Sequence, residues 1–285
     1  MDDLIRTLSR WFDEADHVLV AAGAGLSAAA GYDYADTDRF AELFPVLRRL
    51  GLRARYQLIG LPLPPHRLWG YWAVHVDDIR FGPGTAVVYE QLRELVGERD
   101  HFVWTSNVDG LFERNGFAPE RVWTPQGDYA RYQCELPCSG ETWPSRPIIE
   151  AALAAYDPAS GAVADEAIPV CPNCGGAVFL NVHKGPEFIG EPYDATGREL
   201  AGWWRGLPAG ARPLVVEIGA GLSTPSVVRW PVEAATRLVP GARLVRINAA
   251  HPAVPPDLEG HALAVPREAA GLLADLASTY RKART

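Results

Sequence analysis

The chain has four cysteines, Cys134, Cys138, Cys171 and Cys174. They pair as C-x3-C and C-x2-C with roughly 30 residues between, the ligand spacing of a structural zinc ribbon. In "CPNCGG" a glycine pair follows the last thiol, which suits a tight metal knuckle. Two disulfides are the alternative use of the same spacing. A four-thiolate zinc site would leave no thiol for nucleophilic catalysis. The second chemical feature is a repeated pentapeptide, GAGLS, at 23–27 and again at 219–223. Each copy follows an apolar run and is expected to open a helix. Glycine lets the backbone approach phosphate and ribose oxygens, and a helix N-terminus offers free N–H groups. Two such turns at the carboxyl ends of parallel strands would form a ligand crevice.

The elements that must position these groups are legible from periodicity. "HVLVAAGAGLS", "HFVWTSN", "RVWTPQG", "RPLVVEIGAGLS", "ARLVRINAA" and "ALAVP" read as strands. The N-terminal segment reads as an amphipathic helix with Leu4, Ile5, Leu8, Trp11 and Phe12 on one face. "TAVVYEQLRELVGE" places Val88, Leu92, Leu95 and Val96 on one stripe, and "REAAGLLADLASTYRKA" is a closing helix. "PSVVRWPVEAATRL" is helix-like, with Pro231 expected to kink or break it. Strands alternating with helices predict an α/β fold whose parallel sheet is covered on both faces. Residues 1–35, 83–127 and 192–285 are assigned to a Rossmann-like domain. A helical insertion at 36–82 and a zinc-binding module at 128–191 are assigned to a smaller one. The aromatic run "HRLWGYWAVH" is expected to pack the insertion, and Trp203 and Trp204 to pack rather than bind ligand.

Charge and hydropathy exclude other classes. Net charge is −8 and no long Lys/Arg run occurs, so nucleic acid is not expected as a main partner. No apolar run of membrane-spanning length and no signal peptide is evident, so a cytoplasmic protein is expected, without membrane contact. An ordinary dehydrogenase is also set aside. Gly23, Gly25 and Ala28 satisfy G-x-G-x-x-G/A. Yet the acidic residue due some 20 residues on, at the end of a second strand, falls in "DRFAELFPVLRRLG", which reads as helix or loop.

Taken in order, the motifs resemble the sirtuin family over about residues 18–260. "GAGLSAAAGYDY" is similar to the sirtuin cofactor loop, and "TSNVDGL" to T-Q-N-I-D-G-L. Gln126-Gly127 stands at the H-G position, "GAGLSTPS" resembles G-T-S-L-x-V-x-P, and "RINAAHP" resembles the strand bearing I-N. The resemblance implies a Rossmann-like NAD-binding domain beside a zinc-ribbon and helical module, with NAD in the cleft between them. It implies cofactor contacts from Gly23, Ala24, Gly25, Ser27, Asp33, Tyr34, Ser106, Asn107, Asp109, Gln126, Gly219, Gly221, Leu222, Ser223 and Asn248. It implies catalytic roles for Asn107, which orients the ribose, for Asp109, which accepts from the nicotinamide amide, and for Gln126. For Asp109 an Asx-turn before Gly110 is the structural alternative.

The departures are as informative as the matches. Gln126 replaces the histidine, Ser106 replaces the glutamine of T-Q-N, and the arginine of Asp-Phe-Arg has no match beside Asp33-Tyr34-Ala35. No obvious counterpart of the acyl-lysine-binding strand follows the zinc segment. This pattern resembles the macrodomain-linked (class M) sirtuins, which implies NAD-dependent protein ADP-ribosyltransfer, with a lipoyl-carrier protein as a candidate acceptor. A separate macrodomain protein would then reverse the modification.

A deacylase needs a base to activate a ribose hydroxyl, a contribution worth roughly 10²–10⁴-fold. A glutamine amide donates and accepts hydrogen bonds but does not titrate near neutral pH. Direct transfer of ADP-ribose to a protein side chain needs no such base. Gln126 therefore favours transfer with release of nicotinamide. The alternatives are a deacylase or NAD hydrolase with another base, for which His66, His75 and His183 are candidates, or a non-catalytic NAD-binding module.

Overall fold

The computed structural model describes residues 3–82 and 84–284; the expected boundary at residue 83 lies outside them. Eleven strands occur among the described residues: β1 His17–Ala22, β2 Asp100–Thr105, β3 Val122–Trp123, β4 Gly127–Cys134, β5 Thr142–Pro144, β6 Tyr156–Asp157, β7 Ala162–Val163, β8 Val178–Val182, β9 Pro213–Ile218, β10 Arg243–Ile247 and β11 Ala262–Val265. Six form one parallel sheet in the order β11-β10-β9-β1-β2-β3. Strands β1 and β9 are buried on both faces, which explains their unbroken apolar runs. Helices Asp3–Glu14, Val87–Val96 and Ala269–Arg284 cover one face, burying Leu8, Phe12, Leu92 and Leu272. Helices Glu191–Arg205 and Arg229–Leu238 cover the other with Leu200, Trp204 and Val232.

Sheet register decides where the site is. Ala22 pairs with Thr105 on one side and Ile218 on the other, and Ile218 pairs with Ile247. The residues that follow, Gly23, Ser106, Gly219 and Asn248, therefore leave the sheet along one edge. Chain order diverges between β1 and β9, so this edge carries the topological switch point where open α/β sheets take ligands.

Residues 36–82 are helical as expected. Helix Pro65–Val76 packs with helix Arg146–Ala154 and β7 in a second core that includes Trp69, Val76, Ile149 and Val163. The cysteine-bearing strands β4, β5 and β8 form an antiparallel sheet, and β6 and β7 a short ribbon. Trp203 packs on Phe102, and Trp204 donates to the Ala235 carbonyl.

Two expectations need correction. The second GAGLS does not open a helix: helix Arg229–Leu238 begins six residues after Ser223, and the intervening chain is turns. Pro231 does not kink that helix, because it lies in the first turn, where its missing N–H has no partner to lose. No helix among the described residues is long and apolar enough to cross a membrane.

Candidate active site

Asn107 is the centre of a buried polar network just beyond β2. Its Nδ2 donates to the Gly23 carbonyl at 3.0 Å and to Ser27 Oγ at 2.9 Å. Its backbone N–H donates to Thr105 Oγ1, whose own hydroxyl donates to the Ala22 carbonyl. Ser27 Oγ in turn donates to Asp109 Oδ2 at 2.5 Å. Both Asn107 amide hydrogens are thus spent on the protein, and the amide is held in one orientation with its oxygen as the remaining acceptor. The other Asp109 oxygen accepts from Leu111 N, so the Asx-turn is present, with Gly110 at φ +65°. Burial pushes the Asp109 carboxyl up, opposed by the Ser27 and Leu111 donors. The buried Tyr89 hydroxyl lies close to this group without hydrogen-bond geometry to any member.

The two GAGLS turns pack back to back. Gly25 N donates to the Gly219 carbonyl at 3.0 Å, and Gly23 N to Ile218. A Cβ on Gly23 would stand 2.7 Å from Ala220 Cα, and one on Gly25 the same distance from Gly219 Cα. The repeat therefore has a packing reason as well as a chemical one: each turn needs the other to lack a side chain. Ala24, Gly25, Gly221, Leu222 and Ser223 form an exposed lip above this contact. Asn248 joins it, donating Nδ2 to the Ala220 carbonyl at 2.9 Å while its oxygen accepts from Ala250 and His251 N–H groups.

Gln126 follows β3, whose Trp123 pairs with Trp104 of β2, so it stands beside the β2 exit. Its carbonyl accepts from His183 N at 2.9 Å. Gly127 has φ +94°, and a Cβ there would meet the Asn181 carbonyl at 2.1 Å, so only glycine serves. Two residues on, Tyr129 N donates to the Val108 carbonyl at 2.9 Å, tying this segment to the Asn107–Asp109 loop. The structure thus gathers Asn107, Asp109, Ser27 and Gln126 along one edge. Ser106 is half-buried with its N–H on the Ala22 carbonyl, and Asp33 is exposed, capping Ala35 N. Two cavities flank this region. One of about 520 Å³ is lined by Gly31, Tyr32, Arg39 and Asp78. A smaller one, about 160 Å³, is lined by Trp123, Thr124, Asp128 and Tyr193.

The four cysteine sulfurs lie within 4.8 Å of one another. Cys134 and Cys174 are 3.7 Å apart, and Cys138 and Cys171 3.6 Å. Disulfide sulfurs would be about 2.05 Å apart. A tetrahedron with metal–sulfur bonds of about 2.3 Å has edges of about 3.8 Å. The donor set and its spacing fit a zinc ion.

Compared with solved structures, the chain matches over its whole length a crystal structure of a Sir2 homologue in complex with NAD, at TM-score 0.65, 20% identity and 96% coverage of that chain. A Sir2–p53 peptide–NAD complex matches over 99% of this chain and 100% of that one, at TM-score 0.56 and 16% identity. The chain has the Sir2 fold. No protein-family model matches it. Among curated proteins, the chain is 37% identical over 232 residues to a "Probable bifunctional ADP-ribose hydrolase/ADP-ribosyltransferase" of Fusarium oxysporum f. sp. cubense. That alignment covers 78% of this chain and 38% of the fungal protein. It is 27% identical over 243 residues to a "Protein ADP-ribosyltransferase" of Staphylococcus aureus, covering 83% of this chain and 75% of that one.

Within this Sir2 fold, two groups escaped motif reading. Arg246 forks onto Glu217 at 2.8 and 2.7 Å in the core below the second glycine turn, and reaches the partly buried Glu233 at 2.7 Å. Beside them Arg229 donates to the carbonyls of Ala220, His251 and Ala253. "VVEIG" and "LVRIN" did carry a signal: a lone acid and a lone base in adjacent apolar strands. The second group is a buried cluster around His75, whose Nδ1 lies 3.2 Å from Arg55 Nη1 and 3.3 Å from Tyr71 Oη and whose Nε2 lies 3.3 Å from Tyr34 Oη. His66 and His183 make no side-chain hydrogen bond to the network, and His183 is exposed with its ring against Phe188.

Proposed function

We propose that this chain is an NAD-dependent protein ADP-ribosyltransferase that releases nicotinamide. The observation that carries the reading is the intact Asn107–Ser27–Asp109 network next to Gln126, which does not titrate. The names of both curated relatives support it, and the NAD and ADP-ribose complexes among the structural neighbours support the ligand. The chain spans well under half of the fungal relative, so the activity is inferred for this portion.

On this reading NAD supplies the ADP-ribosyl group and carries nicotinamide as leaving group. The backbone lip of Ala24, Gly25, Gly221, Leu222 and Ser223 holds the pyrophosphate side, and Asn248 stands at the adenosine ribose. The fixed Asn107 amide presents its oxygen to the distal ribose, and Ser106 and Gln126 add hydrogen bonds at the same edge. Asp33 and Tyr34 close the cofactor loop over it. Asp109 orients Ser27 and receives the carboxamide on a free lone pair. Such preorganised dipoles act where charge develops. Zinc held by the four cysteines fixes the β4–β8 sheet, whose first residue is Gly127, so its role is positional. The parallel sheet and its helices form the NAD-binding domain, and residues 36–82 with 128–191 the smaller one.

A lipoyl-carrier protein is the proposed acceptor. Reversal of the modification by a separate macrodomain protein is part of the same proposal; the fungal relative's name pairs ADP-ribosyl transfer with ADP-ribose hydrolysis within one chain. The test is incubation with labelled NAD and a lipoylated carrier, beside Asn107→Ala and Gln126→Ala. Label on the carrier that is lost in Asn107→Ala upholds the reading. Nicotinamide release without labelled protein points to hydrolysis, and NAD binding without turnover to a binding module.

A further inference from the structure

The helical insertion carries a charge opposite to that of the rest of the chain. Residues 43–76 hold five arginines, Arg48, Arg49, Arg53, Arg55 and Arg67, and no aspartate or glutamate. The remainder holds 22 basic residues against 35 acidic ones. Arg55 is buried and paired with Asp78. Arg48, Arg49 and Arg53 are exposed, and Arg67 is half-buried. Arg49 reaches only the Ala159 carbonyl, at 3.4 Å, and the side chains of Arg48, Arg53 and Arg67 have no carboxylate partner among the described residues.

The same stretch is apolar on its outer side. Leu47, Leu52, Leu58 and Leu63 pack into the small core around Phe44 and anchor the segment from helix Pro45–Arg49 through the short helix Arg55–Leu58. Between these anchors Leu50, Tyr56, Ile59 and Leu61 turn outward, Ile59 to 76% exposure. They are four of the ten large hydrophobic side chains exposed among the described residues, gathered within twelve positions. Apolar side chains exposed singly need no explanation, whereas a cluster rimmed by charge marks a contact surface. Main-chain bonds join this surface to the candidate active site. Tyr56 N donates to the Tyr34 carbonyl at 3.3 Å, and Tyr32 N, at the other end of that loop, donates to the Ser27 carbonyl at 2.9 Å.

We infer that the outer side of residues 48–61 is the docking surface for the acceptor protein, and that the acceptor meets it with an acidic face around an apolar centre. The inference rests on the function proposed above and names the partner chemistry of the same site. Arginines without an internal partner give up no ion pair when they meet a partner's carboxylates, and such charges steer encounter and fix register. Leu50, Tyr56, Ile59 and Leu61 supply the apolar middle. The charge balance selects a compact partner. A nucleic acid or an anionic bilayer extends past these arginines and meets the acidic remainder of the chain, whereas a folded domain with a local acidic patch does not. A domain seated on Tyr56 abuts the loop that Tyr32 ties back to Ser27, and Ser27 holds Asn107.

The test titrates a lipoylated carrier protein of net negative charge into the ADP-ribose complex of wild type, of the double variant Arg48→Glu with Arg53→Glu, and of Ile59→Ser. ADP-ribose affinity is measured for each, and thermal melts check that the fold is kept. Reversing two exposed charges should weaken carrier binding about 10-fold or more, and Ile59→Ser about 5-fold, with ADP-ribose affinity unchanged. Added salt should weaken carrier binding to wild type and have much less effect on the double variant. Ile59→Ser and the wild-type salt dependence carry the test should the double variant not fold. The proposal is overturned if wild type does not bind the carrier, or if the variants bind it as wild type does. Retention of wild type, but not of the double variant, on phosphatidylserine vesicles with carrier binding unmoved would overturn it in favour of a bilayer. Self-association in sedimentation that only the double variant loses, with carrier binding unmoved, would overturn it in favour of a second copy. Arginine-dependent carrier binding without transfer of label from NAD would uphold the docking surface and bring down the transferase reading instead.

Discussion

Gly25 and Gly219, 194 positions apart in the sequence, meet backbone to backbone: a Cβ on Gly219 would lie 2.5 Å from Gly25 Cα. Gly219 also has φ +64°, so two separate penalties oppose any side chain there. Overpacking and the left-handed backbone together predict a loss of about 2–5 kcal/mol for Gly219→Ala. Gly202→Ala, on an exposed helical turn with nothing near its Cβ, should gain about 0.5–1 kcal/mol instead. Urea unfolding of the two variants reads both signs in one experiment.

The contrast shows what was legible in the sequence. The parallel sheet, the helical insertion and the cysteine quartet were written in period, length and spacing, which are local signals. GAGLS marked both turns, but its second copy runs into turns rather than a helix, because the five residues after Ser223, Pro225 among them, do not sustain one. Motif order singled out Asn107 and Gln126, yet the Ser27 bond that orients Asn107 spans 80 positions and has no local signature. The same holds for Arg55 and His75, whose pairing depends on how the insertion folds over β4.

Arg246 lies at 1% exposure and Glu217 at 0%, directly opposed in adjacent strands. Burial pushes the Glu217 carboxyl up even against the pull of Arg246. Arg246→Ala would leave that acid buried without its partner, at a cost of about 3–5 kcal/mol. Arg246→Ala with Glu217→Gln should recover a large part of it. Since Arg246 also holds the Ala253 carbonyl at 2.6 Å, weaker NAD binding should accompany the single change. Denaturant melts and a dinucleotide titration check the two effects separately.

Asp109 gives a pH prediction with a definite sign. Burial raises its carboxyl above the ordinary aspartate value of 3.8, so the folded protein holds that proton more tightly than the unfolded chain. Its contribution to stability is therefore full below pH of about 3.8 and is lost as pH rises through the raised value. Asp109→Asn should flatten this part of the stability profile and raise the melting temperature at neutral pH, while transfer activity falls. A melting series from acid to neutral pH that keeps the wild-type slope in the variant would reject the assignment.

Removing the proposed zinc with a chelator should lower the melting temperature and loosen the Cys134–Cys174 and Cys138–Cys171 contacts first. Metal analysis of the untreated protein should return one zinc per chain. Because β4 leads from Gly127 to Cys134, hydrogen exchange after chelation should rise along β4 and β8 before it rises in the parallel sheet.

Position 126 is secured by its main chain. The Gln126 carbonyl is bonded to His183 N, and Gly127 is locked against Asn181, while the Gln126 side chain makes no hydrogen bond to the protein among the described residues. Nothing in the folding of the segment depends on an amide there. A histidine would be accommodated with stability changed by less than about 0.5 kcal/mol. The identity of this residue is thus free for selection to set by chemistry alone. On the proposed reading, a lineage could cross between base-dependent and base-free reactions by a single codon, in either direction, without passing through an unfolded ancestor.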